Sequence, residues 1–273
     1  RIYMRGVTAH WTIEDSEPIP SLRGLMLNPM GQAQASKVAL FGGADYAWNP
    51  ARFEKVSNWE ASIRSLVKDD EELRNAMRTF AIHSESGIEL KETDELKPLF
   101  DTFKSSYSAS GELPSVTGQL VTEMQKIYDA CVLLRTMEHS GDSDHVLFYK
   151  ETKYWIAKLQ SMSNIILKSL TLLQSGENSQ WTDFLVAKEE YAKIHTDPDF
   201  FVPALEGSGT STEKKSYEVT PSDVNMMPFA DWIIGKIADK APVLPERSRD
   251  IVIITNVKNL NGPQISGGEA SVV

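Results

Sequence analysis

Residues 144–174, DHVLFYKETKYWIAKLQSMSNIILKSLTLLQ, decide the fold. Their large apolar side chains recur every three or four positions, at Trp155, Leu159, Met162, Ile166, Leu170 and Leu173. This spacing matches the turn of an α-helix and places the apolar side chains in one stripe along it. The stretch therefore predicts a long helix with one buried face, in a mainly α protein.

Two further stretches share this period. Residues 115–138 carry Val116, Leu120, Met124, Ile127, Cys131 and Leu134. A later stretch carries Trp181, Phe184, Leu185, Lys188, Tyr191 and His195, and it ends before Asp197. We expect the 115–138 helix to pack antiparallel to the 144–174 helix, and the third helix to complete a bundle.

Shorter helices are predicted around these three. One begins at Pro29 and stops at Gly42–Gly43, and the next opens at Ser57, which forms a capping box with Glu60. Another begins at residues 69–72, and a further one covers residues 93–104. The last starts with Thr220 as its N-cap and Pro221 as its first helical residue.

Two regions do not follow the helical pattern. Residues 203–219 are rich in Gly, Ser, Thr and Lys, which is typical of an exposed loop. Beyond the prolines at 242 and 245, residues 251–257 read as a β-strand, and a Gly-rich tail follows them. Because the tail offers that strand no partner, we expect the natural protein to continue past Val273.

The charge pattern narrows the classes of partner. The chain of 273 residues has 38 acidic and 28 basic side chains, a formal charge of −10, and no Lys/Arg-rich stretch. We therefore expect no binding to nucleic acid.

No apolar run reaches the roughly 18 residues that a membrane-spanning helix needs. The single cysteine, Cys131, excludes an internal disulfide and reads as a small buried hydrophobic residue.

No catalytic or metal-binding residues can be assigned from spacing alone. The pairs Asp69–Asp70 and Glu189–Glu190 fall on polar helix positions. Among the histidines, only His139 and His145 lie close together in the sequence, with Asp142 and Asp144 between them. A metal there would need four ligands from one short loop, so we expect a solvated helix connection, with neither metal nor organic cofactor. His195 is expected to be a partly buried, hydrogen-bonded imidazole.

One segment carries a family resemblance. Residues 24–50, GLMLNPMGQAQASKVALFGGADYAWNP, resemble the end of the catalytic domain in glycoside hydrolases of family 84. In that family an Asn-Pro-Met turn after the last barrel strand leads into a helix with Ala-Ser-Lys, and then to Ala-Asp-Tyr-Ala-Trp-Asn-Pro. Trp59–Glu60 and residues 80–83, FAIH, also resemble the helical bundle of the family.

The resemblance implies three parts. Residues 1–51 would be the C-terminal end of a (β/α)8 catalytic barrel, namely a loop and the last helix. Residues 52–240 would form the helical bundle, and residues 241–273 a linker and the first strand of a C-terminal β domain. The chain would then be the C-terminal portion of a longer protein whose catalytic domain lies upstream.

The resemblance also implies an activity for the intact protein. It would be a bacterial β-N-acetylglucosaminidase, of the O-GlcNAcase or hyaluronidase-like kind, that retains configuration and uses the acetamido oxygen of its substrate as nucleophile. Its partners would be glycans or glycoproteins that bear N-acetylglucosamine, in a secreted or cell-surface setting. The two catalytic aspartates would lie upstream of Arg1, so we expect no catalytic residue here and no activity from this chain alone.

Asn28 matches the family asparagine that hydrogen-bonds sugar hydroxyls, which makes it the one candidate substrate-binding residue. An alternative is that Asn28 caps a helix beginning at Pro29. Trp48 and Asn49 are expected to fix the junction between barrel and bundle. A competing hypothesis for the whole chain is a non-enzymatic helical module that binds a protein partner.

Overall fold

The computed structural model describes residues 2–4, 26–85, 95–175, 177–203 and 216–238. Within these ranges it is almost entirely helical, which confirms the predicted mainly α class. The helices are α1 (Ala33–Trp48), α2 (Lys55–Val67), α3 (Glu71–His83), α4 (Lys97–Ser110), α5 (Thr117–Arg135), α6 (Ser143–Ser175), α7 (Asn178–Thr196) and α8 (Met226–Ala238). Short 3₁₀ turns lie at Pro50–Arg52, Thr136–His139 and Pro198–Phe200.

Helix α6 is the centre of the bundle. It packs against α5 and α7 along its length, and it also contacts α1, α2 and α8. The predicted stripe is buried at Trp155, Leu159, Met162, Ile166 and Leu170. Residues 136–142 alone join α5 to α6, and a connection this short is typical of antiparallel neighbours. The three long helices were thus correctly predicted from their apolar period.

A cluster of aromatic rings joins α4 to α8. The rings of Phe100 and Phe229 stack with centroids 4.3 Å apart, and Phe103 meets Phe229 edge-on at 5.6 Å. Trp232 contacts Phe103 and Tyr107 edge-on at about 6 Å. Each such pair contributes roughly 0.5–1.5 kcal/mol beyond the area that it buries. The cluster therefore fastens α8 to α4, which is distant from it in the sequence.

Helix α1 differs from its prediction at both ends. It begins at Ala33, with Gln32 as N-cap, instead of at Pro29. It also runs through Gly42 and Gly43 to Trp48 instead of stopping there. A Cβ atom on Gly43 would lie 2.5 Å from Leu27 Cδ1, so this glycine permits close packing inside the helix.

The predicted capping box at Ser57 is wrong. Helix α2 begins two residues earlier, at Lys55, and the side chain of Glu54 caps it. The Glu54 carboxylate accepts hydrogen bonds from the backbone N–H groups of Val56 at 3.2 Å and Ser57 at 2.7 Å. Glu60 pairs instead with Arg78 of α3. A glutamate satisfies the same first-turn donors that a serine would satisfy.

The predicted start of α8 at Thr220–Pro221 is also wrong. The helix begins at Met226, and residues 221–225 form a turn before it. Ser222 in this turn has a φ of 51°, and its N–H donates to the Glu85 carbonyl at 2.8 Å. This contact fixes the chain just before α8.

The predicted loop at 203–219 has paired ends. The two-residue strands β1 (Val202–Pro203) and β2 (Ser216–Tyr217) pair antiparallel, with Val202 opposite Tyr217. Residues 204–215 and the predicted strand at 251–257 lie outside the described residues. The division of the chain into three parts, with boundaries after residues 51 and 240, stays a prediction.

Candidate functional site

Asn28 lies on an exposed turn that precedes α1. Met26, Asn28 and Pro29 are exposed, whereas Leu27 and Met30 are partly buried. Because α1 begins at Ala33 and its N-cap is Gln32, Asn28 does not cap this helix. The capping alternative is therefore wrong. The turn presents the carboxamide, which can donate and accept hydrogen bonds, at the surface of the described structure.

A buried serine ties this turn to the first turn of α1. Ser36 is 2% exposed, and its hydroxyl accepts a hydrogen bond from the backbone N–H of Met30 at 3.0 Å. The same hydroxyl donates to the Gln32 carbonyl at 2.8 Å. The backbone N–H of Tyr3 lies 3.0 Å from the Met30 sulfur. Met30, two residues after Asn28, is thus held from two sides.

Helix α6 satisfies a backbone donor at the start of α1. Gln32 provides no side-chain cap for this helix. The backbone N–H of Gln34 instead donates to Oε2 of Glu151, on α6, at 2.7 Å. Asp144 accepts from the Gln34 carboxamide at 3.2 Å and pairs with Lys37 at 3.5 Å. Negative charge at a helix N-terminus is favourable, because the first amides point their partial positive charge toward it.

The other end of α1 is bound to α2. The Asn58 carboxamide donates to Oδ2 of Asp45 at 2.8 Å, and the Trp59 indole N–H donates to the Met4 carbonyl at 2.8 Å. Trp48, by contrast, is 90% exposed, so within the described residues its ring does not pack against the bundle. The expectation that Trp48 and Asn49 fix the junction between barrel and bundle stays a prediction, because the barrel side of that junction would lie upstream.

The carboxylates beside His139 and His145 have structural partners. Asp142 accepts a hydrogen bond from the Lys68 ammonium at 2.5 Å and from the backbone N–H of Asp144 at 2.9 Å. The hydrogen bond from Lys68 lowers the pKa of Asp142 below its usual value. In the described part of the chain, no group of three or more His, Cys, Asp or Glu side chains could hold a metal ion.

The structure contains a partly buried ionic cluster that the sequence did not predict. The Lys158 ammonium donates to Oε1 of Glu218, and Nδ1 of His195 lies 3.0 Å from the same oxygen. Burial lowers the pKa of Lys158 and of His195, while the hydrogen bond that each makes to the Glu218 carboxylate opposes this shift. Burial would raise the pKa of Glu218, but its two hydrogen-bond partners together outweigh that and lower it.

The signal for this cluster was present in the apolar stripe. Lys158 follows Trp155 by three residues and precedes Met162 by four, so it lies on the buried face of α6. A lysine on such a face requires a counter-charge. The sequence does not reveal that Glu218 supplies it. His195 is partly buried and hydrogen-bonded, which confirms the prediction made for it.

Comparison with known proteins finds similarity to the same family as the sequence motifs. A family described as beta-N-acetylglucosaminidase matches residues 8–82. Among solved structures, CpGH84D matches with a TM-score of 0.60 and 24% identity over 78% of this chain and 34% of its own. A variant of the Thermobaculum terrenum O-GlcNAc hydrolase matches with a TM-score of 0.55 and 17% identity, over 78% of this chain and 41% of its own. CpGH84B matches with a TM-score of 0.54 and 20% identity, over 76% of this chain and 32% of its own.

The resemblance to family 84 glycoside hydrolases is thereby confirmed. The chain spans between about a third and two fifths of the lengths of these solved relatives. At these identities the structural likeness establishes the shared fold. None of the described helices combines the length and hydropathy needed to cross a membrane.

Proposed function

We propose that this chain is the C-terminal part of a β-N-acetylglucosaminidase of family 84 that releases N-acetylglucosamine from glycans or glycoproteins. Its reaction retains configuration, with the acetamido oxygen of the substrate as nucleophile. The aspartates that orient that group and transfer the proton belong to an upstream barrel. This chain alone is inactive, because the interactions that stabilise the transition state are on the missing part.

The observation that carries the proposal is the position of Asn28. It lies inside the segment matched by the beta-N-acetylglucosaminidase family, and its carboxamide is exposed on a turn that is not part of α1. A carboxamide can donate to one hydroxyl of a vicinal diol and accept from the other. Active sites of β/α barrels are formed by loops after the strands, which is where a turn before the last helix lies.

The experiment compares this chain with the same chain extended upstream through the barrel. Hydrolysis of an aryl β-N-acetylglucosaminide is measured for both, and only the extended protein should turn over. Asn28→Ala in the extended protein should lower kcat/KM by about tenfold to a hundredfold, the loss expected for two hydrogen bonds.

Asn75→Ala is the matched control, because Asn75 is also exposed but lies on α3 and contacts Arg78. It should leave kcat/KM within about twofold of the parent, in line with surface changes distant from the site. An inert extended protein would refute the enzymatic proposal and favour the helical interaction module.

A further inference from the structure

The first turn of α1 is hydrogen-bonded to a residue that lies 117 positions away in the sequence. The N-cap Gln32 has no side-chain hydrogen bond to the helix, and the Gln34 N–H donates instead to Glu151 of α6. The first amides of a helix have no intrahelical acceptor. The Glu151 carboxylate thus takes the role that a capping side chain has in other helices, but from a different helix.

A series of contacts leads from Glu151 to Met30, two residues after Asn28. Glu151 holds Gln34 in the first turn of α1, and Ser36 in the same turn binds both Gln32 and Met30. Since Ser36 is buried, its hydroxyl has no water to replace these partners. The direction in which the chain leaves Met30 toward Asn28 is therefore set by the first turn of α1.

We propose that Glu151, in the bundle, is a positioning residue for the sugar-binding turn that carries Asn28. The inference rests on the proposed function, because it requires Asn28 to contact the substrate. It assigns the bundle a role in sugar binding that acts through the first turn of α1. Loss of the Glu151 carboxylate frees the first turn of α1, and the carboxamide of Asn28 is then no longer held in one orientation.

Asp144 provides a comparison within the same contact. It binds Gln34 and Lys37 through their side chains only, and its own side chain is 53% exposed. Glu151 binds the backbone, which determines the position of the helix. We therefore expect Asp144→Asn to change sugar binding less than Glu151→Ala does.

The first test uses the extended protein with an aryl β-N-acetylglucosaminide. Glu151→Ala should raise KM about tenfold with kcat within about twofold, because a looser contact to the sugar weakens ground state and transition state alike. Glu151→Gln, which keeps an oxygen acceptor, should recover most of this loss. Glu189→Ala, an exposed glutamate of α7, is the control and should leave KM unchanged.

A double variant separates positioning from a general loss of structure. If Glu151 acts through Asn28, Glu151→Ala should change KM less than about twofold in an Asn28→Ala background, because contacts in one chain of interactions are not additive. An equal fold-change in both backgrounds overturns the inference, and so does an unchanged KM in the single variant.

Hydrogen exchange in the chain of 273 residues gives a readout that does not require activity. Glu151→Ala should make the amides of Met30 and Gln34 exchange at least about tenfold faster, and Glu189→Ala should not. Unchanged exchange overturns the inference even if the extended enzyme is active. If the extended protein is inert but Glu151→Ala still exchanges faster, the proposed function is refuted, and with it the sugar-binding role of the turn. The contact between Glu151 and the first turn of α1 would still be supported.

Discussion

The Lys158 ammonium donates a hydrogen bond to the Glu218 carboxylate although the Lys158 side chain has no exposed surface. The Lys158 ammonium also lies 5.5 Å from the centroid of the Phe201 ring. Glu218, which follows β2, is 35% exposed and also contacts His195 of α7. One carboxylate thus compensates a fully buried cation and links α6, α7 and the segment after β2.

Removing the Glu218 carboxylate should destabilise the fold. In Glu218→Gln the Lys158 ammonium stays buried without a counter-charge, and loss of one partner from a buried pair costs about 3–5 kcal/mol. Because Glu218 is partly exposed, we expect about 1–3 kcal/mol, measured as the free energy of unfolding in urea. Lys158→Met removes the buried charge itself and should lower the free energy of unfolding by less than Glu218→Gln does. Equal stability of Glu218→Gln and the parent would contradict the role assigned to this pair.

The same cluster makes stability depend on pH. The pKa of His195 in the folded chain lies below its ordinary value of 6.5, so the unfolded state binds more protons as pH falls through that value. The pKa of Glu218 is also lowered, from 4.5, which acts in the same direction at lower pH. Lys158, Tyr191 and Asp231 face this group, and the Lys158 charge disfavours protonation of His195. The free energy of unfolding should therefore decrease on acidification, as pH falls through about 6.5.

A histidine substitution can isolate the first step of this pH dependence. His195→Asn should flatten the decrease between about pH 7 and pH 5, the range set by an ordinary histidine pKa. The matched control is His139→Asn, because His139 is 86% exposed. Urea unfolding at a series of pH values measures both. A profile that is the same in His195→Asn and the parent would show that His195 does not control this step.

A side chain at Gly111 should destabilise the fold. It ends α4 with a φ of 71° in the left-handed region, and its N–H donates to the Tyr107 carbonyl at 2.8 Å. Gly111→Ala should cost about 1 kcal/mol, because a Cβ atom disfavours that conformation although no neighbour lies near it.

Gly235 is the control for this glycine, since it lies inside α8 and an added Cβ would also meet nothing within 4 Å. Gly235→Ala should stabilise the protein by up to about 1 kcal/mol. Thermal or urea unfolding distinguishes the two, and a loss of stability in both variants would indicate a steric cause instead of a conformational one.

Cys131 should be unreactive in the folded protein. The thiol lies in the α5 stripe, and burial raises its pKa well above the usual range. Since the thiolate is the reactive form, alkylation should be slow in native buffer and fast in urea. Leu185→Cys places a thiol at a position that is 55% exposed and should react promptly. Rapid native alkylation of Cys131 would show that α5 opens locally.

The family motif predicted where the candidate site lies but not how it is held. Residues 24–50 identified Asn28 and the helix after it, because these residues are consecutive and their order is visible in the sequence. The supporting contacts from Glu151 and Tyr3 come from other segments of the chain, and no local pattern identifies them. The mispredicted ends of α1 and α2 have causes closer in the sequence. Glu54 caps α2 as well as a serine would, and the close contact with Leu27 explains the glycine inside α1.

The sequence by itself determined the long helices, since the apolar period of 3.6 residues requires one buried stripe along each of α5, α6 and α7. It also predicted the resemblance to family 84 glycoside hydrolases, through a motif of neighbouring residues. Only the tertiary structure decided which polar groups meet. Lys158 and Glu218 are 60 positions apart, and Gln34 and Glu151 are 117 apart. The physical reason is that apolar burial depends on the spacing within one helix, whereas a hydrogen bond depends on which helices pack side by side.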